Sequence, residues 1–256
     1  MKKFIFLLFY TLCFQLFLPL ISRANQNTII QKIIKNSNNC SADYIFSSSQ
    51  INSSNSFNIY ISELNKNLKN SNIVKASLAK DLNLIPVNSC ILRGNRNFTS
   101  REAQKLFESL SIKSIINTDS LTNKLIDNKN NKIKYIYLPV SSSKYPKGLG
   151  AKSIMKALNI LAEATPQQKV YISCFFGKHR TGLVVALYQF TRLYAQDKQM
   201  ACSQIGNSKD KIFVQMNSIA ALGTLTYDMP KEFQDFYKDF AKSVCEERSD
   251  EFFKSL

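Results

Sequence analysis

No Cys-x-x-Cys pair occurs among the six cysteines of this 256-residue chain, which argues against a dithiol redox role. No segment repeats at a fixed period, so the chain is not a solenoid or a propeller. Histidine occurs once, as His179, and no Asp or Glu lies between Asn128 and Ala162. Basic residues outnumber acidic ones, 34 to 18, but no aromatic-basic interleaving or recognisable module accompanies them, so nucleic acid is not an expected partner.

The net charge of +16 attracts polyanions in general: phosphorylated substrates or an acidic membrane surface. Lys2 and Lys3 precede an apolar run from Phe4 to Ile21, and Ser22-Arg23-Ala24 follows. This order of charge, apolar run and small-x-small site reads as a signal peptide, residues 1–24, cleaved near Ala24 to leave a secreted or periplasmic protein. An uncleaved anchor is the alternative, since the 18-residue run is just long enough to span a bilayer. Cleavage takes three of the 34 basic residues and none of the acids, leaving +13. Cys40, Cys90, Cys174, Cys202 and Cys245 would remain. In an oxidising compartment this odd number implies two disulfides, in any of three connectivities, and one working thiol.

Residues 25–86 read as an Asn/Ser-rich extension. From Asn36 to Ser56, 13 of 21 residues are Ser or Asn, too few apolar groups for a core segment. Residues 57–86 alternate short apolar clusters with Lys and Asn and admit one or two helices. A regular pattern begins after Cys90, and residues 87–256 read as one domain. Strands are expected over Ile91–Arg93, Ile112–Ile116, Ile133–Leu138 and Val170–Ser173. Between them, Thr99 and Glu102 form a capping box before a helix faced by Ala103, Leu106, Phe107 and Leu110. Further helices are expected over Lys152–Glu163, Thr181–Tyr194 and after Pro230. Alternating strands and helices specify an α/β domain with a central, mainly parallel sheet flanked by helices, its active face at the strands' carboxyl ends.

The chemistry concentrates at one junction. Val170-Tyr171-Ile172-Ser173 leads into Cys174-Phe175-Phe176-Gly177-Lys178-His179-Arg180, then Thr181-Gly182 and an apolar helix. A loop curling from a strand into a helix points backbone N–H groups and the helix N-terminus at one spot, which cradles an anion. Gly177 permits the tight curl. Arg180 adds a planar fork for two phosphate oxygens. The same positive field favours Cys174 as the thiolate, the nucleophilic form.

These residues resemble the protein tyrosine and dual-specificity phosphatase superfamily, whose loop reads His-Cys-x5-Arg-Ser/Thr. The likeness extends upstream, where Leu92-Arg93-Gly94, the capped helix and Ile112-Lys113-Ser114-Ile115-Ile116-Asn117 resemble the opening of compact members. It implies a compact dual-specificity-phosphatase-like fold and metal-free, cofactor-free phosphate hydrolysis. Cys174 would be the nucleophile, Arg180 the phosphate clamp and Thr181 the hydroxyl that assists turnover. Phe175, Phe176, Gly177 and Lys178 would line the phosphate, and Arg93 would approach the pocket or serve the fold.

Two departures stand out. Ser173 occupies the position of the family's histidine, which orders the loop; a serine hydroxyl can do part of that work. The aspartic general acid expected after the strand 133–138 is missing. A bacterial subgroup with the loop Cys-x-x-Gly-Lys-Asp-Arg-Thr carries its acid just before the arginine, and here that position is His179. His179 is therefore the candidate proton donor, with Asp228 or Asp119 folding in from elsewhere as others. The expected function is a secreted phosphatase of phosphotyrosine or dual specificity. The seven lysines of the acid-free stretch 128–162, with Lys144 and Lys147 nearest the site, and Lys178 keep an inositol phosphate or phosphoinositide substrate open. A phosphate-binding module without turnover is the third reading.

Overall fold

The computed structural model describes residues 29–40, 81–82, 84–97, 100–119, 133–141, 144–177, 179–207 and 230–256. Residues 1–24, Thr99, Lys178, Asp228 and most of the stretch 57–86, expected to hold one or two helices, lie outside them.

Five strands form one sheet: β1 (Ile85–Pro86), β2 (Ile91–Asn95), β3 (Ile112–Asn117), β4 (Lys134–Tyr137) and β5 (Lys169–Cys174). Their order is β1-β2-β5-β3-β4, and only the short β1 runs antiparallel. β5 is thus central, flanked by β2 and β3, and its carboxyl end delivers Cys174 into the middle of the sheet's edge. Side chains along a strand alternate between faces. Ile91, Val170, Ile172 and Ile116 face one hydrophobic core, whereas Leu92, Tyr171, Ile112 and Ile115 face a second. Burial on both faces is what a parallel sheet requires, and it explains the dense β-branched runs.

Helix α2 (Arg101–Ser109) covers the second face through Ala103, Leu106 and Phe107. Its cap sits one residue later than the sequence suggested: Ser100, extended at φ −67° and ψ 152°, accepts from the Ala103 N–H. The first face carries α1 (residues 29–36), α3 (Leu149–Ala162), α4 (His179–Gln196), α5 (Lys198–Asn207) and α6 (Lys231–Cys245). The short α7 (Ser249–Lys254) closes the chain against α6 through Phe252. α4 is buried almost all round from Thr181 to Arg192, which is why its sequence shows little amphipathicity. Five cysteines lie among the described residues, four of them in two disulfides. Cys40 bonds Cys90, Cys202 bonds Cys245, and Cys174 is free. The first disulfide ties the described part of the Asn/Ser-rich extension to β2, and Ile30 and Ile33 enter the same core as β5. Among the described residues no helix is long and apolar enough to cross a membrane.

Candidate functional site

Cys174 ends β5 directly opposite Asn95, the last residue of β2. Its thiol is buried at 4% exposure. The chain then turns, with the Gly177 N–H donating to the Cys174 carbonyl at 3.3 Å, and enters α4 at His179. Gly177 has φ +70°, and a Cβ there would stand 2.3 Å from the backbone of Gly94. Gly94 is equally hemmed in: its own Cβ would meet the Tyr171 hydroxyl at 2.2 Å and the Leu82 carbonyl at 2.5 Å. Gly177 therefore lets the loop pack on the end of β2, while Gly94 leaves room for Tyr171 and Leu82.

Arg180 and Thr181 occupy the first turn of α4, whose N–H groups and positive dipole end face the loop. The Arg180 Nη1 donates to the Asp119 carboxylate at 2.5 Å, and the Arg96 Nη1 lies 3.2 Å from the other oxygen. Asp119 is wholly buried. Its place follows from the paired ends of β3 and β5. Thr118 donates through its N–H and its hydroxyl to the Ser173 carbonyl at 2.8 and 2.9 Å, and the Asp119 N–H donates to Asn117 Oδ1 at 2.9 Å. With both oxygens facing guanidiniums, Asp119 is placed to hold Arg180 in position, a role that sequence reasoning missed. It had marked the residue only as an alternative proton donor.

Arg96 also lies over the Phe175 ring, 3.8 Å from its centroid, and Phe175 packs edge-on against Phe176 at 4.4 Å. Both phenylalanines are exposed, at 38% and 57%, so the loop's outer side is an aromatic rim. Tyr137, at the end of β4, stands in the same field: desolvation and the Asp119 charge push its hydroxyl above the usual tyrosine range, against a smaller opposing pull from Arg180.

His179 is half-buried with an enclosed Nε2. The Thr181 Oγ1 is buried without a hydrogen-bond partner among the described residues, available to a ligand. Ser173 turns its hydroxyl toward the Ile116 carbonyl, 3.3 Å away, joining β5 to β3. Arg93 is 1% exposed, and with Arg192 it is one of two fully buried arginines among the described residues. Burial pushes its guanidinium down to about 10, while Cys174 acts in the opposite direction. Lys147 lies over Tyr145, whose hydroxyl donates to Asp239 on α6 at 2.9 Å.

A sequence model described as the tyrosine phosphatase family matches residues 80–193, which span β1 to most of α4. No curated protein sequence matches. Similar solved structures include TpbA from P. aeruginosa in complex with pTyr, 15% identical over 65% of this chain and 92% of that one, with a TM-score of 0.45. The core catalytic domain of the PP-IP phosphatase SIW14 from S. cerevisiae, in complex with citrate, is 20% identical over 62% and 88%, with a TM-score of 0.38. PTPMT1 in complex with PI(5)P is 16% identical over 62% and 94%, with a TM-score of 0.37.

Proposed function

We propose that this protein, whose residues 80–193 belong to the tyrosine phosphatase family, hydrolyses phosphotyrosine and related phosphomonoesters through a phosphocysteine on Cys174. The observation that carries it is the free, buried thiol of Cys174 at the centre of the sheet's edge, at the start of a loop that ends on Arg180 at a helix N-terminus.

In the first step the Cys174 sulfur attacks phosphorus as the bond to the leaving oxygen breaks. Arg180, held by Asp119, takes two of the phosphoryl oxygens, and backbone N–H groups of the loop take the charge that develops. His179, beside the clamp and charged next to a phosphate dianion, gives its proton to the departing oxygen. In the second step water attacks phosphorus, its proton passes to His179, and the sulfur leaves as the thiolate, assisted by the Thr181 hydroxyl. The loop Gly177-Lys178-His179-Arg180-Thr181 is that of the bacterial Gly-Lys-Asp-Arg-Thr subgroup with histidine as the acid. The exposed pair Phe175 and Phe176 favours an aromatic leaving group, whose ring can stack on the rim. The mature chain, cut near Ala24, would act in the periplasm or outside the cell.

The test is phosphate release by the purified mature protein from phosphotyrosyl peptides, phosphoseryl peptides, phosphoinositides and inositol polyphosphates. The proposal expects phosphotyrosyl peptides to be turned over fastest, with no activity in Cys174→Ser. Preference for an inositol phosphate would move the substrate class, and an inert wild type would leave a binding module.

A further inference from the structure

We infer that Arg93 is the buried counter-charge of the Cys174 thiolate, a positioning residue that acts through the sulfur and supplies what the loop's missing histidine does not. The inference rests on Cys174 being the nucleophile. On β2, Arg93 pairs with Ile172 and Asn95 pairs with Cys174, so Arg93 and Cys174 lie on adjacent strands. Both residues occupy alternate positions that share the face of Ile91 and Ile172. The guanidinium is enclosed, and its Nε, Nη1 and Nη2 are all buried without a hydrogen-bond partner among the described residues. Burying an unpaired cation carries a large desolvation penalty, so such a group calls for an anion within its own enclosure. The enclosed group at hand is the Cys174 side chain, whose charge opposes the burial effect on Arg93. Loss of the thiol proton to solvent turns an unmatched cation into a matched pair.

The neighbouring charges do not serve equally. Asp119, from the end of β3, already faces Arg180 and Arg96. Arg180 and His179 lie in the first turn of α4, and Arg180 is already paired with Asp119. The Ser173 hydroxyl is directed at Ile116 of β3. Arg93 alone among these cations is fully enclosed, at 1% exposure, with no carboxylate paired to it among the described residues.

The experiment is iodoacetamide alkylation of Cys174 in the folded, disulfide-intact protein, which requires no turnover. At about pH 6, Arg93→Met and Arg93→Gln should alkylate at least roughly tenfold more slowly than wild type, because a buried opposite charge favours the thiolate. The difference should vanish near about pH 10, where both thiols are ionised, and Arg93→Lys should recover most of the rate at low pH. A purely structural Arg93 would alter thermal unfolding without this pH-dependent difference. Equal rates at low pH in a variant with native near-ultraviolet circular dichroism would overturn the inference. If neither neutral variant folds, the thiolate absorbance of wild type minus Cys174→Ser decides: absorbance at about pH 6 supports the pair, and its absence sinks it. A wild type without phosphatase activity but with Arg93-dependent alkylation would refute the enzyme reading and leave this one standing.

Discussion

Replacing Asp119 by asparagine preserves the side chain's shape but removes the charge that Arg96 and Arg180 both face. If Asp119 anchors Arg180, the variant should lose roughly 10²-fold in kcat/KM, the usual scale for a misplaced clamp, equally for aryl phosphates with good and poor leaving groups. His179→Asn should behave differently: near wild type with a good leaving group, and slower by about 10²–10⁴-fold with a poor one. A steady-state series across phenols of graded acidity separates the two roles. Gly177→Ala adds a methyl at φ +70° into the backbone of Gly94, and should cost roughly 10²-fold in turnover through displacement of the loop. Cys174, Arg180, Thr181 and Gly177 were legible because a loop between a strand and a helix keeps them adjacent in sequence. The partnership of Asp119 with Arg180 was not, since 61 residues separate them and only the β3–β5 pairing brings them together.

Among the elements, the four main strands and the helices α2, α3, α4 and α6 follow from period and punctuation. The helix over residues 29–36 was hidden: Ile29, Ile30, Ile33 and Ile34 supply an apolar face, but an Asn/Ser-rich tract begins directly after it. The disulfide from Cys40 to Cys90 anchors that helix to the start of β2. Cys40→Ser with Cys90→Ser, which opens a loop closed across 50 residues, should lower unfolding stability by about 2–5 kcal/mol in a urea titration. Phosphate binding at the loop should persist in that variant under native conditions, because the strands that hold the loop pair without the bond. The shift of the α2 cap from Thr99 to Ser100 has a local cause. The helix begins only where an extended residue can aim its oxygen at the N–H three places on, and Ser100 meets that geometry.

At the scale of the whole molecule, a sheet covered on both faces sets the Cys174 loop at its central strand, and two disulfides tie the flanking segments together. The proposed cleavage near Ala24 predicts that mass spectrometry of the chain expressed in cells finds an N-terminus at Asn25, whereas an N-terminus at Met1 would mark an uncleaved anchor. The central claim is covalent catalysis by Cys174, and rapid acid quench tests it most directly. The mature protein is mixed with a labelled phosphotyrosyl peptide, stopped within a turnover and digested. The account predicts label on the peptide that carries Cys174 in wild type, accumulation of that label in Thr181→Ala, and none in Cys174→Ser. Phosphate release without any labelled Cys174 peptide, persisting in Cys174→Ser, would contradict it.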